Sequence, residues 1–231
     1  MGWPKNFVQG VYNALGSLIG VYDGAGGQIG LTPTYTWATK PLASAYTGRA
    51  FISDIGGGSI WISNGTRWYP ENGRVVLYNL PAAVSGTYLT VGITAQYLLP
   101  GGVWQDGDIL EITNTASKTG TTTVGSHAIR IGSAGLVSDT AISSGTTSQP
   151  GVLNLSVNTP NNRIKRLGVT TCKFMGIFWN SVGSSTSGIS TDSTVDNLDL
   201  PVYITRTSLA SAPTGDTFTL HEFTITLVAR P

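Results

Sequence analysis

Charge is scarce in this sequence. Lys, Arg, Asp and Glu make up 11% of 231 residues and leave a net charge of +1, whereas charged residues are about 25% of ordinary soluble domains. No basic stretch runs along the chain, so the electrostatic footprint of a nucleic-acid binder is missing. Cysteine is almost absent. The single Cys172 excludes a disulfide within the chain, and in CKFMGIFW it reads as a small buried apolar residue. No apolar run approaches the ~18 residues of a spanning helix, so membrane insertion is not expected. The start, MGWPKN, has neither the basic and apolar regions of a signal peptide nor the hydroxyl of a myristoylation site. A protein made and folded in a cytoplasm is the expectation.

Catalytic signatures are equally sparse. There is no G-x-S-x-G elbow and no H-E-x-x-H helix. The two histidines, His127 and His221, fall in expected strands, where packing or surface roles suit them. His221 and Glu222 are adjacent in a strand, so they should point to opposite faces and not act as a pair. No catalytic residue and no cofactor are expected.

What is present is glycine, hydroxyl residues and a well-spread 40% of hydrophobic residues. Residues 4–20 (PKNFVQGVYNALGSLIG) carry apolar side chains at helical 3–4 spacing. Pro4 suits a first turn and Gly20 a C-terminal cap. Gly10 and Gly16 weaken this helix by ~1 kcal/mol each. Val8, Val11, Leu15 and Leu18 match an a/d stripe over two heptads, as in a short trimeric bundle, although packing on the chain's own domain fits as well. Residues 21–47 read as an extended linker or irregular segment, with YTWAT (35–39) as a candidate short strand.

IWISNGTRWY (60–69) centres on Asn64-Gly65, the dipeptide of tight hairpin turns. A two-residue turn places Trp61 opposite Trp68 on one face, as a cross-strand aromatic staple. An aromatic platform for a sugar is the functional alternative. Beyond residue 73 the pattern alternates with period 2, as in TYLTVGITAQYLL (87–99). Further strands are expected at 75–80, 108–116, 127–132, 152–158, 163–170, 173–179, 201–207 and 217–229. In the last, apolar parity slips at His221-Glu222, which implies a β-bulge or a corner. Successive strands without helical patterns between them predict an antiparallel sandwich or barrel.

GRAFISDIGGGSIWISNGTRWYPENG (48–73) resembles a module of tailed-bacteriophage virion proteins. Arg49, Ala50, Phe51, Ser53 and Asp54 match its "RAF-V-SD" phrase. Gly65, Thr66 and Trp68 match its "DGT-W" phrase, with Asn64 where Asp is usual. The ending, VYITRTSLASAPTGDTFTLHEFTITLVA, resembles the last strands of jelly-roll domains on phage fibres. The resemblance implies a mainly β virion protein. Residues 1–72 are read as an N-terminal attachment region made of the helix at 4–20, which lies outside the resemblance, a linker, and a hairpin module at 48–72. Residues 73–231 would form a jelly-roll-like antiparallel β-sandwich. It further implies a homotrimer, contact with other virion proteins through the N-terminal region, and a host surface glycan or protein as partner. A tail fibre or receptor-binding protein, a capsid decoration or head-fibre protein, and a carbohydrate-active enzyme are the three readings. The last lacks an acid–base constellation.

Loops are the natural carriers of binding. Those at 132–150 and 180–199 are long and rich in Ser, Thr and Gly. Trp104, in PGGVWQDGD, and Trp179, at the end of an apolar strand, are the ligand-stacking candidates; packing is the alternative for each. Asp192, Asp196 and Asp199 are candidate oxygen ligands for Ca²⁺, though capping and turn roles explain them too. Asp106-Gly107-Asp108 reads as a turn into a strand.

Overall fold

The computed structural model describes residues 9–12, 18–22, 32–88, 90–118, 124–148, 157–175, 191–210 and 217–229. They are mainly strand, with one 3-10 turn at Ala43–Ala45 among them. The strands are β1 (Gln9–Tyr12), β2 (Leu18–Tyr22), β3 (Thr34–Tyr35), β4 (Thr47–Ile52), β5 (Ser59–Asn64), β6 (Trp68–Pro70), β7 (Arg74–Asn79), β8 (Val84–Gly86) and β9 (Gly92–Leu99). They continue as β10 (Ile109–Lys118), β11 (Val124–Gly132), β12 (Thr140–Ser148), β13 (Val157–Gly168), β14 (Thr171–Met175), β15 (Thr191–Thr194), β16 (Val202–Ala210) and β17 (Phe218–Val228).

The start of the chain corrects the sequence expectation. β1 and β2 pair antiparallel, Gln9 opposite Tyr22 and Tyr12 opposite Leu18. These residues are therefore not part of a helix over 4–20. Gly10 removes helix stability, and the β-branched Val11, Ile19 and Val21 fit a pleated ladder better than a helical turn. Val8 and Leu15 of the a/d stripe lie outside the described residues.

The segment expected as a linker is partly structured. β3 runs parallel to β4 in a four-stranded sheet of order β3-β4-β5-β6, and Trp37 is buried just beyond it. Two larger antiparallel sheets follow. One has the order β15-β14-β13-β10-β17-β7, with β8 also on β17. The other has the order β12-β11-β16-β9. Leu110, Ile112, Ile164, Phe174, Phe223, Ile225 and Leu227 from the first sheet share one buried cluster with Ile129, Ile131, Val202 and Ile204 from the second. Each such side chain contributes about 1.5–3 kcal/mol relative to exposure. Tyr78 on β7 and Tyr97 on β9 bring the sheets together, their ring centroids 5.6 Å apart.

Two bulges set which side chains face inward. At the end of the chain, Thr115 pairs with Glu222 and Ala116 with Leu220, so His221 is the extra residue. The parity break at His221-Glu222 is thus a bulge. It keeps Leu220 and Phe223 both buried and leaves His221 and Glu222 both exposed. The expectation that these two point to opposite faces fails for that reason. In β9, Arg206 pairs with Ala95 and Thr207 with Ile93. The shift turns Thr94 and Ala95 inward and leaves Ile93 exposed, breaking the alternation expected over 87–99. Two strands fall where the sequence suggested loops, β12 inside 132–150 and β15 inside 180–199. Both are rich in Ser and Thr, so little apolar alternation marks them as strands.

Candidate functional site

The Asn64-Gly65 turn is wider than a two-residue hairpin. Trp61 pairs with Pro70, Ile62 with Tyr69 and Ser63 with Trp68. Asn64 Oδ1 accepts hydrogen bonds from the Thr66 N–H at 3.0 Å, the Thr66 hydroxyl at 2.9 Å and the Arg67 N–H at 3.0 Å. An Asx turn of this kind satisfies the loop's own donors. Gly65 sits at φ +89°, as a turn glycine should. The two indoles share a face but do not oppose each other. Trp61 meets Trp37 edge-on at 4.9 Å, and Trp68 stacks on Tyr46 at 5.3 Å. Trp61 is 0% and Trp68 3% exposed, so neither ring is a platform for a sugar. Their N–H groups are held by Ser59 Oγ at 2.8 Å and Pro41 O at 3.0 Å.

This small sheet is locked to the larger ones by a polar junction. The Trp37 indole donates to Gly101 O at 2.8 Å. Arg67 Nη2 reaches both Asp108 oxygens, at 2.8 and 2.6 Å. Asp108 is fully buried, and its Oδ2 also accepts from the Gln105 N–H at 3.0 Å. Its carbonyl accepts from the Trp104 indole and the Arg166 N–H, each at 3.0 Å. Arg166, on the inner row of β13 and 3% exposed, gathers the neighbouring loops. It donates to Asp106 Oδ1 at 2.7 Å, Trp104 O at 2.5 Å, Leu198 O at 2.9 Å and the Asp199 carboxylate. A planar guanidinium with five fixed donors suits this convergence where Lys would not. Lys40 lies over the Trp37 ring, 4.0 Å from its centroid, and burial lowers its pKa.

The sequence candidates are dispersed by this arrangement. Trp104 is 1% exposed and enclosed by the chain's own atoms; its ring has no open face for a ligand. Its loop position had suggested exposure, but the Asp106-Gly107-Asp108 turn, closed by the Asp108 N–H to Gln105 O at 3.0 Å, folds the indole inward. Trp179 lies outside the described residues. The three aspartates face three different partners. Asp192 lies 3.5 Å from Lys173 Nζ. Asp196 Oδ2 accepts from the Ser133 N–H at 2.6 Å, and hydrogen bonds from the Ser133 side chain and backbone hold its carboxyl below the usual range. Asp199 serves Arg166. They do not converge, and no group of three His, Cys, Asp or Glu side chains placed to hold a metal occurs among the described residues.

His221 Nε2 lies 2.6 Å from Ser117 Oγ on an exposed face, and Glu222 accepts from the Thr115 hydroxyl at 3.2 Å. His127 is buried beside Arg206; burial first, then that cation, hold its imidazole well below its ordinary pKa. Cys172 is buried and its thiol is pushed up to about 12, chiefly by desolvation. No transmembrane-length apolar helix occurs among the described residues. Arg67 and Arg166 were not singled out by sequence reasoning, and Asp108 was read only as part of a turn into a strand. The signal available was scarcity itself: in a chain this poor in charge, each cation next to a turn is a candidate for a specific partner. Comparison of the chain with protein-family models, with curated proteins and with solved structures finds no match.

Proposed function

We propose that this chain is a structural protein of a bacteriophage virion surface, a tail-fibre or receptor-binding protein that mediates host attachment. The supporting observation is the segment 48–73. Its phage-like phrases coincide with a small buried-tryptophan sheet that is bolted to the larger sheets through Arg67–Asp108. Such a joint transmits force between an attached end and a distal body. The two larger sheets are read as a jelly-roll-like sandwich over 73–231, and residues 1–72 as the region attached to other virion proteins. The role is binding, not catalysis. Antibody raised to the purified chain should label phage particles at the tail tip in electron micrographs. Labelling of the head would replace this reading with a capsid decoration role, and unlabelled particles would overturn both.

The assembled form is proposed to be a homotrimer, because a chain with so few charges and so many hydroxyl residues suits strand packing between copies. Sedimentation equilibrium should give three times the chain mass of 24.2 kDa. A monomer at micromolar concentration would contradict it.

A further inference from the structure

Charge is scarce in this chain, yet two ammonium groups stand side by side on the outer face of the first large sheet. Lys165 of β13 and Lys173 of β14 are directly opposed partners. Their strand neighbours Ile164, Arg166, Cys172 and Phe174 are buried, so alternation turns both lysines outward. The Cα atoms of such a pair lie about 4.5–5.5 Å apart. Arg163 follows on the same face of β13, about 7 Å along the strand. It meets Glu111 of β10, which Arg74 of β7 approaches from the other side.

Like charges directly opposite in a sheet destabilise it, and the nearby carboxylates do not cancel this pair. Glu111 is divided between Arg163 and Arg74. Asp192, the β15 partner of Lys173, lies 3.5 Å from its Nζ, but the aspartate side chain is 58% exposed, where pairing contributes little. Lys165 makes no ion pair among the described residues. Four cations against two anions give this face a surplus of two positive charges, on a chain whose net charge is +1. Local choices that oppose stability concentrate at functional positions.

We propose that Lys165 and Lys173 hold one phosphate group between them on the open face of the sheet. Each ammonium is a compact point charge with three donors on a flexible stem, a group suited to phosphate. An anion accepting from both tips turns their mutual repulsion into two attractions. Arg163 spends Nε and Nη2 on Glu111 and keeps Nη1 for the same anion. The phosphate has two sources, a free ion or monoester, and a diester within a polymer. The site follows from sheet register and stands whether or not the chain belongs to a virion.

Thermal melts of the full chain test the site. They are recorded near neutral pH in chloride, inorganic phosphate and dimethyl phosphate at equal low ionic strength, for the wild type, Lys165→Gln, Lys173→Gln, Asp192→Asn and Arg49→Gln. Phosphate stabilises folded chains in general by exclusion from their surface, so the readout is the excess over the lysine variants. At about ten times the dissociation constant, the wild-type midpoint should rise by roughly 3–6 °C more than that of either lysine variant. Arg49→Gln removes a cation paired with Glu71 on the small sheet and should keep the full rise. Asp192→Asn removes the competing carboxylate and should enlarge it. In chloride, Lys165→Gln should melt no lower than the wild type, because a repulsion is relieved; a lower midpoint would refute the like-charge argument. A response to inorganic phosphate alone assigns the site to a free ion or monoester, and a response to dimethyl phosphate assigns it to a diester. Equal shifts in the wild type and both lysine variants overturn the proposal.

Discussion

Arg166→Leu is expected to lower the melting midpoint by roughly 10 °C. The guanidinium is buried and bridges two carbonyls and two carboxylates. Leucine fills part of the volume but leaves Trp104 O and Leu198 O without their donor. Each orphaned buried carbonyl costs about 1–3 kcal/mol. The carboxylates add little, because both Asp106 and Asp199 stand more than half in water, where pairing is worth about 0–1 kcal/mol. The sum is about 3–4 kcal/mol, and a domain of this size loses about 2–4 °C per kcal/mol. Arg163→Leu is the control. It lies on the same strand facing outward, half-exposed, paired with Glu111 at 2.7 Å. It should cost no more than about 1 kcal/mol. Two variants that melt together would mean that Arg166 does not hold the loops.

Gly56→Ala is expected to prise the small sheet off β7. Gly56 sits at φ +60°, and a Cβ there would lie 2.1 Å from Val76 O and 3.0 Å from Val75 Cγ2. The first contact is with backbone, which cannot rotate away, so the loop must lift. Its neighbour Gly57 has a similar φ of +74° but nothing within 4 Å of its Cβ position. Gly57→Ala therefore carries the left-handed backbone penalty alone, about 1–2 kcal/mol. Gly56→Ala carries that penalty plus the lost contact and should cost about twice as much or more. Limited proteolysis should open new sites within 48–73 in Gly56→Ala and none in Gly57→Ala. Identical behaviour of the two variants would contradict the close approach to β7.

What was legible in the sequence was local. Period-2 alternation marked β9, β10, β16 and β17, because side chains alternate across a strand wherever one face is buried. The parity break at His221-Glu222 marked a bulge for the same reason. Asn64-Gly65 marked a turn, because positive φ is a property of single residues. The helix over 4–20 failed where β1 and β2 are described, since apolar spacing in a short glycine-containing stretch fits more than one period. β12 and β15 were missed because hydroxyl-rich strands carry little apolar alternation to read.

The tertiary structure decided everything that depends on which distant residues meet. The register of the hairpin shifted from the two-residue expectation because Asn64 closes the loop with its own side chain, which moves Trp68 opposite Ser63. Trp104, a ligand-stacking candidate with packing as the alternative, is buried, its loop held by the Asp106-Gly107-Asp108 turn and by Arg166, far along the chain. The aspartates that looked like one cation site serve Lys173, Ser133 and Arg166 in three places. Arg206, inside the strand expected at 201–207, is fully buried, its guanidinium carbon 5.4 Å from the Phe218 ring of the facing sheet. Periodicity and turn chemistry are set by neighbours in sequence, so the sequence alone determines them. Burial and charge pairing are set by strand partners tens of residues away, and no local pattern encodes which strands those will be.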